Sequence, residues 1–320
     1  MANQATRVIL VAGDSHTWGQ GSGGEGALGE LVAGELRPLD FACPSYVNLL
    51  RRRVNAATGS GAAVYPGAVL AEGEELALPG ATLYRLWFRG QERPSRAEVY
   101  LDGRLHACAD LTMARSDYMY RFVPVRCPGN AARLELRSAV GTVELYCAEA
   151  YDGPFAVINA GIGSCPLQRY LTPEIWENWI TPWQPAAVIA EGNTINDWLA
   201  GESPDAYAAL LRRELGLIRA MGARPFLHTV APILGPQAKP YSPYRYPELV
   251  KAMRRVAREE GVPLADANQR LTRLLAGLPE ERWAETLFAD PWHPNPRGHG
   301  VYAEALYELL EPFLAGPAAP

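Results

Sequence analysis

Short apolar runs alternate with amphipathic helical stretches along most of this chain, and that alternation leaves few folds open. Residues 6–12, Phe155–Asn159, Ala186–Ala190 and Arg224–Val230 read as strands buried on both faces, with Val262–Ala265 as a short last one. Helical periodicity fills the spaces between. Residues 45–57 carry Tyr46, Leu49, Leu50 and Val54 on one stripe. Ser203 and Pro204 supply an N-cap and a first helical residue for the stripe Tyr207, Leu210, Leu211, Leu215 and Ile218. Pro247–Glu260 and residues 300–314 repeat the pattern. Strands alternating with helices predict a parallel sheet covered on both faces. In such sheets ligands bind at the carboxyl ends of the strands.

Chemistry-bearing residues sit at those ends. The first strand stops at Gly13-Asp14-Ser15. A serine on a strand-to-helix turn is a candidate nucleophile, although Gly, Asp and Ser are also ordinary turn residues. Asn159-Ala160-Gly161-Ile162-Gly163 follows the next core strand, and Asn193-Thr194-Ile195-Asn196-Asp197 follows the third. Near the C-terminus, Asp290-Pro291-Trp292-His293-Pro294 sets an acid and a histidine three residues apart between prolines. Such a turn lets the carboxylate accept from one ring nitrogen and leaves the other as a base. A turn cap beside a surface histidine is the plain alternative.

From residue 61 to 150 the pattern changes to short alternating runs, among them 82–88, 97–101, 121–125, 133–136 and 143–146, with a hairpin signal at Asp102-Gly103. This stretch predicts an inserted antiparallel β-sandwich-like domain. Two roles stay open for it: a structural insertion, or a module that binds carbohydrate or a partner.

The four motif blocks in this order resemble the SGNH hydrolase family, also called GDSL esterases. The resemblance covers residues 6–58 and 155–315. It implies an α/β fold, a flavodoxin-like three-layer sandwich with a central parallel sheet, formed by residues 1–60 and 151–320 around the inserted domain. It implies Ser15 as nucleophile, His293 as general base and Asp290 as the acid that orients it. It implies an oxyanion hole from the backbone N–H groups of Ser15 and Gly161 and an asparagine side chain. The family shows Gly-x-Asn-Asp where this chain has Thr194-Ile195-Asn196-Asp197, so Asn196 is preferred and Asn193 stays as the alternative. The expected activity is hydrolysis of a short-acyl ester of a carbohydrate or similar polyol. Transfer of the acyl group to another alcohol, or a non-catalytic binding role, are the alternatives.

Composition narrows the rest. A net charge of -5 argues mildly against nucleic acid, which usually needs a basic face, and no apolar run reaches membrane-spanning length. Five cysteines without paired spacing fit a reduced, cytoplasmic protein and no zinc site. The start of the chain lacks the pattern of a secretory signal. No cofactor or metal is expected. The glycines of residues 19–30 read as a mobile loop, without the lysine of a phosphate cradle. Arg51, Arg52 and Arg53 read as a solvated helix face, with a substrate or membrane patch as the alternative. Of the other histidines, His16 is expected in the pocket wall, His228 in the core, His299 at the last helix end and His106 in the insert. Trp18 and Trp292 are the candidate pocket walls for substrate.

Overall fold

In the computed structural model, which describes residues 6–23, 41–112, 120–127, 133–235 and 241–316, the chain divides into two compact units. One is built on residues 55–156 and the other on residues 8–23, 42–54 and 157–316. The expected glycine loop falls outside the described residues beyond Gly23, as do parts of the expected insert.

The second unit is organised by a five-stranded sheet. Its strands are β1 (Arg7–Gly13), β10 (Phe155–Gly161), β11 (Ala187–Ala190), β12 (Arg224–His228) and β13 (Leu264–Ala265), in the order β10-β1-β11-β12-β13. The register runs parallel from Ile9 beside Ala187 through Ala187 beside Arg224 to Leu227 beside Leu264. Val8 to Ala12 and Ala187 to Ala190 are fully buried. Continuous burial explains why these strands read as unbroken apolar runs.

Between and after these strands run the helices α1 (Ser15–Trp18), α2 (Tyr46–Thr58), α3 (Thr194–Leu199), α4 (Pro204–Ala220), α5 (Tyr246–Glu259), α6 (Ala267–Ala276) and α7 (Pro296–Ala315). Ser203 caps α4 by accepting from the Ala206 N–H at 3.2 Å, and Asn295 caps α7 by accepting from Arg297 and Gly298. The arginine run on α2 divides. Arg52 and Arg53 face solvent, but Arg51 is buried and donates to the Val157 carbonyl at 3.0 Å and to Asn48. A guanidinium reaches backbone acceptors from beneath a sheet edge, which a charge count cannot reveal. Among the described residues, no helix is long and apolar enough to cross a membrane.

The first unit contains two four-stranded antiparallel sheets. One joins β2 (Gly61–Leu70), β9 (Val143–Asp152), β4 (Leu83–Arg89) and β7 (Tyr120–Arg126). The other joins β3 (Glu75–Leu78), β8 (Leu134–Val140), β5 (Arg96–Leu101) and β6 (Arg104–Asp110). Their inner faces share one core, with Tyr84, Leu86 and Phe88 from β4 and Val99, Leu136 and Leu145 from β5, β8 and β9. The β5–β6 hairpin turns at Asp102 and Gly103, both at positive φ, 50° and 73°. That geometry suits Asp-Gly and matches the twist of the flanking strands.

The opposite face of β4 and β9 holds a buried ion pair. Glu149 accepts from Arg85 Nε at 2.7 Å and Arg85 Nη2 at 2.8 Å. It also accepts from Trp87 Nε1 at 3.1 Å and the Tyr151 hydroxyl at 2.6 Å. The Arg85 guanidinium lies 4.7 Å from the Trp87 ring centroid. Removing one partner of a buried pair leaves a charge in low dielectric. Glu149→Ala is therefore expected to lower stability by about 3–5 kcal/mol in urea unfolding, whereas the apolar double replacement Arg85→Met with Glu149→Leu stays near wild type. A single substitution as stable as wild type would show that the pair is dispensable.

Candidate active site

Ser15 stands where β1 ends. Gly13 is required there because a Cβ would lie 2.2 Å from Thr17 Oγ1 and 2.3 Å from Glu191 Oε2. Asp14 caps the short helix α1 by accepting from the His16 N–H at 3.0 Å. Ser15, first in that helix, is buried but for 6% of its surface.

Opposite it stands the turn before α7. Asp290 Oδ1 accepts from the backbone N–H groups of Trp292 and His293 at 2.8 and 2.9 Å. The Ala289 N–H donates to the His293 carbonyl at 2.9 Å and closes the turn. His293 Nδ1 then lies 2.7 Å from Asp290 Oδ2, and His293 Nε2 lies 2.8 Å from Ser15 Oγ. Three side chains thus form one hydrogen-bonded line, carboxylate to imidazole to hydroxyl. Burial pushes the Asp290 carboxyl up, but the bonds and charge of His293 and the two backbone donors outweigh it and hold it at about 2. Asp290 is therefore ionised at neutral pH. Its Oδ2 accepts from His293 Nδ1, which leaves Nε2 directed at the serine.

Beneath the serine lies a buried polar layer that periodicity did not indicate. Asp14, His16 and Glu191 are all fully buried. Glu191, one residue beyond β11, accepts at Oε2 from the N–H groups of Asp14 and Thr17 at 3.2 and 3.0 Å and from the Thr17 hydroxyl. Burial and the neighbouring Asp14 charge raise the Glu191 carboxyl well above the usual range. Burial pushes Asp14 the same way, but bonds and charge from His16 hold it well below that range, so it is ionised. Ligand-type atoms of Asp14, His16 and Glu191 all lie within 4.8 Å of one another. They already serve hydrogen bonds: Asn196 and His16 on Asp14, and the Trp292 carbonyl on His16.

The candidate oxyanion donors are placed unequally. Asn196 Nδ2 donates to Asp14 Oδ2 at 2.6 Å, on the residue before Ser15, and Asn196 is half-buried. Asn193 is fully buried at φ 50°, and its Nδ2 donates to the Cys165 carbonyl at 2.7 Å. The Gly161 N–H donates to Asn159 Oδ1 at 2.9 Å and so is engaged within its own turn. Glycine is needed at 161 for closeness, since a Cβ there would lie 2.2 Å from the Trp18 nitrogen. Asn159 also donates to the Thr17 carbonyl at 2.9 Å, tying β10 to α1. The Asn-x-Gly-x-Gly run carried that signal in its first residue.

The two tryptophans also differ. Trp18 is 4% exposed, so it packs inside and does not wall an open pocket. Trp292 is half-buried, and its ring centroid lies 5.9 Å from Trp198 and 5.2 Å from Tyr241. Tyr241 is 44% exposed and was not foreseen. His16 belongs to the buried layer rather than to a pocket wall. His228 and His299 are fully buried; burial lowers both to about 3, so both are neutral. His299 does not serve the start of α7: it accepts from the Tyr46 N–H at 3.2 Å and reaches the Gln20 carbonyl at 3.0 Å. His106 is exposed on β6.

Over residues 132–301, more than half of its length, the sequence matches the GDSL-like lipase/acylhydrolase family. The chain belongs to that family and is a hydrolase. No curated protein gives a significant sequence match. Solved structures do. A peptidoglycan O-acetylesterase is 16% identical with a TM-score of 0.56, covering 97% of this chain and 91% of its own. An acetyl-xylooligosaccharide esterase from Geobacillus stearothermophilus is 14% identical with a TM-score of 0.50, covering 99% and 98%. A lipase/acylhydrolase from Enterococcus faecalis is 16% identical with a TM-score of 0.50, covering 98% and 100%. At these identities the likeness is one of fold.

Two buried acids, Asp197 on α3 and Glu214 on α4, are expected to give this unit a pH dependence. Burial raises Asp197 and Glu214 to about 8. Between their unfolded values near 4 and about 8, the folded chain holds protons that the unfolded chain has lost. Stability therefore falls as pH rises through that window and levels off above it. Glu214→Gln stays neutral throughout. Its melting temperature is expected to gain on wild type between pH 5 and pH 9; a constant difference would contradict the buried proton.

Proposed function

We propose that this chain is a serine esterase acting through an acyl-enzyme. The observation that carries the reading is the unbroken line from Asp290 Oδ2 through His293 to Ser15 Oγ, with steps of 2.7 and 2.8 Å. A serine hydroxyl is a weak nucleophile until a base takes its proton. In the proposed cycle His293 Nε2 accepts that proton as Oγ bonds to the ester carbonyl carbon, whose π electrons move onto oxygen. Collapse of the tetrahedral species breaks the carbon–alkoxide bond, and the departing alcohol takes the proton from Nε2. Water then gives a proton to Nε2, attacks the acyl carbon and releases the acid. Ser15 recovers its proton at the end.

Charge that builds on the carbonyl oxygen needs donors. The Ser15 N–H and Asn196 Nδ2 are proposed for that role, with Asn196 turning from Asp14 toward the oxyanion. The Gly161 N–H, which donates to Asn159 Oδ1 as Asn196 Nδ2 donates to Asp14, is proposed as the third donor.

The proposed substrate is a short-acyl ester of a carbohydrate or similar polyol. Trp292 and Tyr241 beside the base support it, since an aromatic face suits a sugar ring. The peptidoglycan O-acetylesterase and the acetyl-xylooligosaccharide esterase that share the fold point the same way.

Ser15→Ala is expected to abolish hydrolysis of p-nitrophenyl acetate, and retained turnover would defeat the mechanism. Asn196→Ala is expected to lower kcat about a hundredfold or more, with Asn193→Ala much less affected. The reverse order would move the oxyanion role to Asn193. Rates on p-nitrophenyl esters are expected to fall from acetate to longer acyl chains; a rise would exclude the short-acyl assignment.

A further inference from the structure

His16 follows the serine directly, is fully buried, and has no part in the proton transfers above. Its ring spans two elements. Nδ1 lies 3.1 Å from Asp14 Oδ1, and Nε2 lies 2.9 Å from the backbone carbonyl of Trp292. That carbonyl belongs to the peptide bond whose nitrogen is that of His293. The His16 and His293 rings lie with centroids 5.1 Å apart, and Tyr302 of α7 stacks on the far side at 6.4 Å.

Chemistry sets what this bridge needs. A carbonyl cannot donate a hydrogen bond, so the contact at Nε2 requires a hydrogen on that nitrogen. With that hydrogen in place, His16 joins the nucleophile turn to the base turn through one rigid ring. Another link between these turns is the hydrogen bond from Ser15 to His293 itself, which the reaction breaks and remakes. A link that persists through the cycle keeps the base in register while that bond is absent.

We propose that His16 is a positioning residue, which through its Nε2 bond to the Trp292 carbonyl holds His293 within reach of Ser15. The proposal rests on the reading of Ser15 and His293 as nucleophile and base. Two conservative variants separate the two ring nitrogens. A glutamine amide at position 16 reaches the place of Nε2 and keeps a donor for the Trp292 carbonyl. An asparagine amide reaches only the place of Nδ1 and keeps the Asp14 contact alone.

Misplacing a reacting group by about 1 Å can cost on the order of a hundredfold in rate. His16→Asn is therefore expected to lower kcat by about 10- to 100-fold and to slow fluorophosphonate labelling of Ser15 in parallel, with KM within about twofold. His16→Gln is expected to recover most of that loss. Equal kcat values in the two variants, or a loss carried by KM, would overturn the proposal. If the Asn variant does not melt cooperatively, the Gln variant alone decides: a kcat more than about tenfold below wild type contradicts the bridge. Ser15→Ala belongs in the same series. Turnover retained there would sink the underlying reading of the site, whereas an inactive Ser15→Ala beside a wild-type His16→Asn would sink only the role of His16.

Discussion

A hydroxyl and an imidazole 278 residues apart meet at 2.8 Å, and the rest of the second unit is arranged around keeping them there. The meeting depends on parallel strands that end at one level. In register with Ala12, Ala190 brings Glu191 under the Gly13-Asp14-Ser15 turn. Next to β1 on the other side, β10 delivers Asn159 to the carbonyl of Thr17. Glycine at 13 and at 161 lets these turns approach more closely than any side chain would allow. The buried carboxyls beneath occupy the backbone donors that a short helix leaves unpaired. An unpaired donor at this depth would cost about 1–3 kcal/mol, so the layer under the serine is part of what holds the turn in place.

The histidines show how surroundings assign roles to one residue type. His228 and His299 sit in the interior against Tyr46, where burial keeps them neutral, and each serves as a fixed hydrogen-bonding strut. His293 lies at the rim beside an ionised carboxylate, with one nitrogen held and the other directed at a hydroxyl. His16 lies between two acceptors and has neither nitrogen to offer a substrate. Position relative to carboxylate and solvent, rather than residue identity, separates the proposed base from a strut.

Much of the parallel sheet was legible because its strands are buried on both faces and read as continuous apolar runs. The Asp290-to-His293 turn was legible because the carboxylate and the imidazole lie within one proline-braced segment. Strand β2 was not foreseen. Pro66 and Gly67 interrupt its pattern, and it is tolerated as an edge strand whose pairing passes from Pro66–Cys147 to Ala68–Leu145. Glu191, Tyr241 and the second bond of His16 were hidden for another reason. Each acts on a residue distant in sequence, and a lone Glu, Tyr or His carries no spacing that marks its partner. At Gly161 a glycine after a strand signals close approach, but not that its N–H meets Asn159 Oδ1. Trp18 looked like a pocket wall from its nearness to Ser15 in sequence, yet a four-residue helix turns it inward.

The central claim is that Ser15 carries the acyl group between two half-reactions. Acid quench of the protein during turnover of p-nitrophenyl acetate, followed by peptide mapping by mass spectrometry, tests it directly. The account predicts an acetyl group on the peptide that contains Ser15, absent when substrate is omitted. Steady turnover with that peptide always unmodified, or with the acetyl group on another side chain, would contradict it.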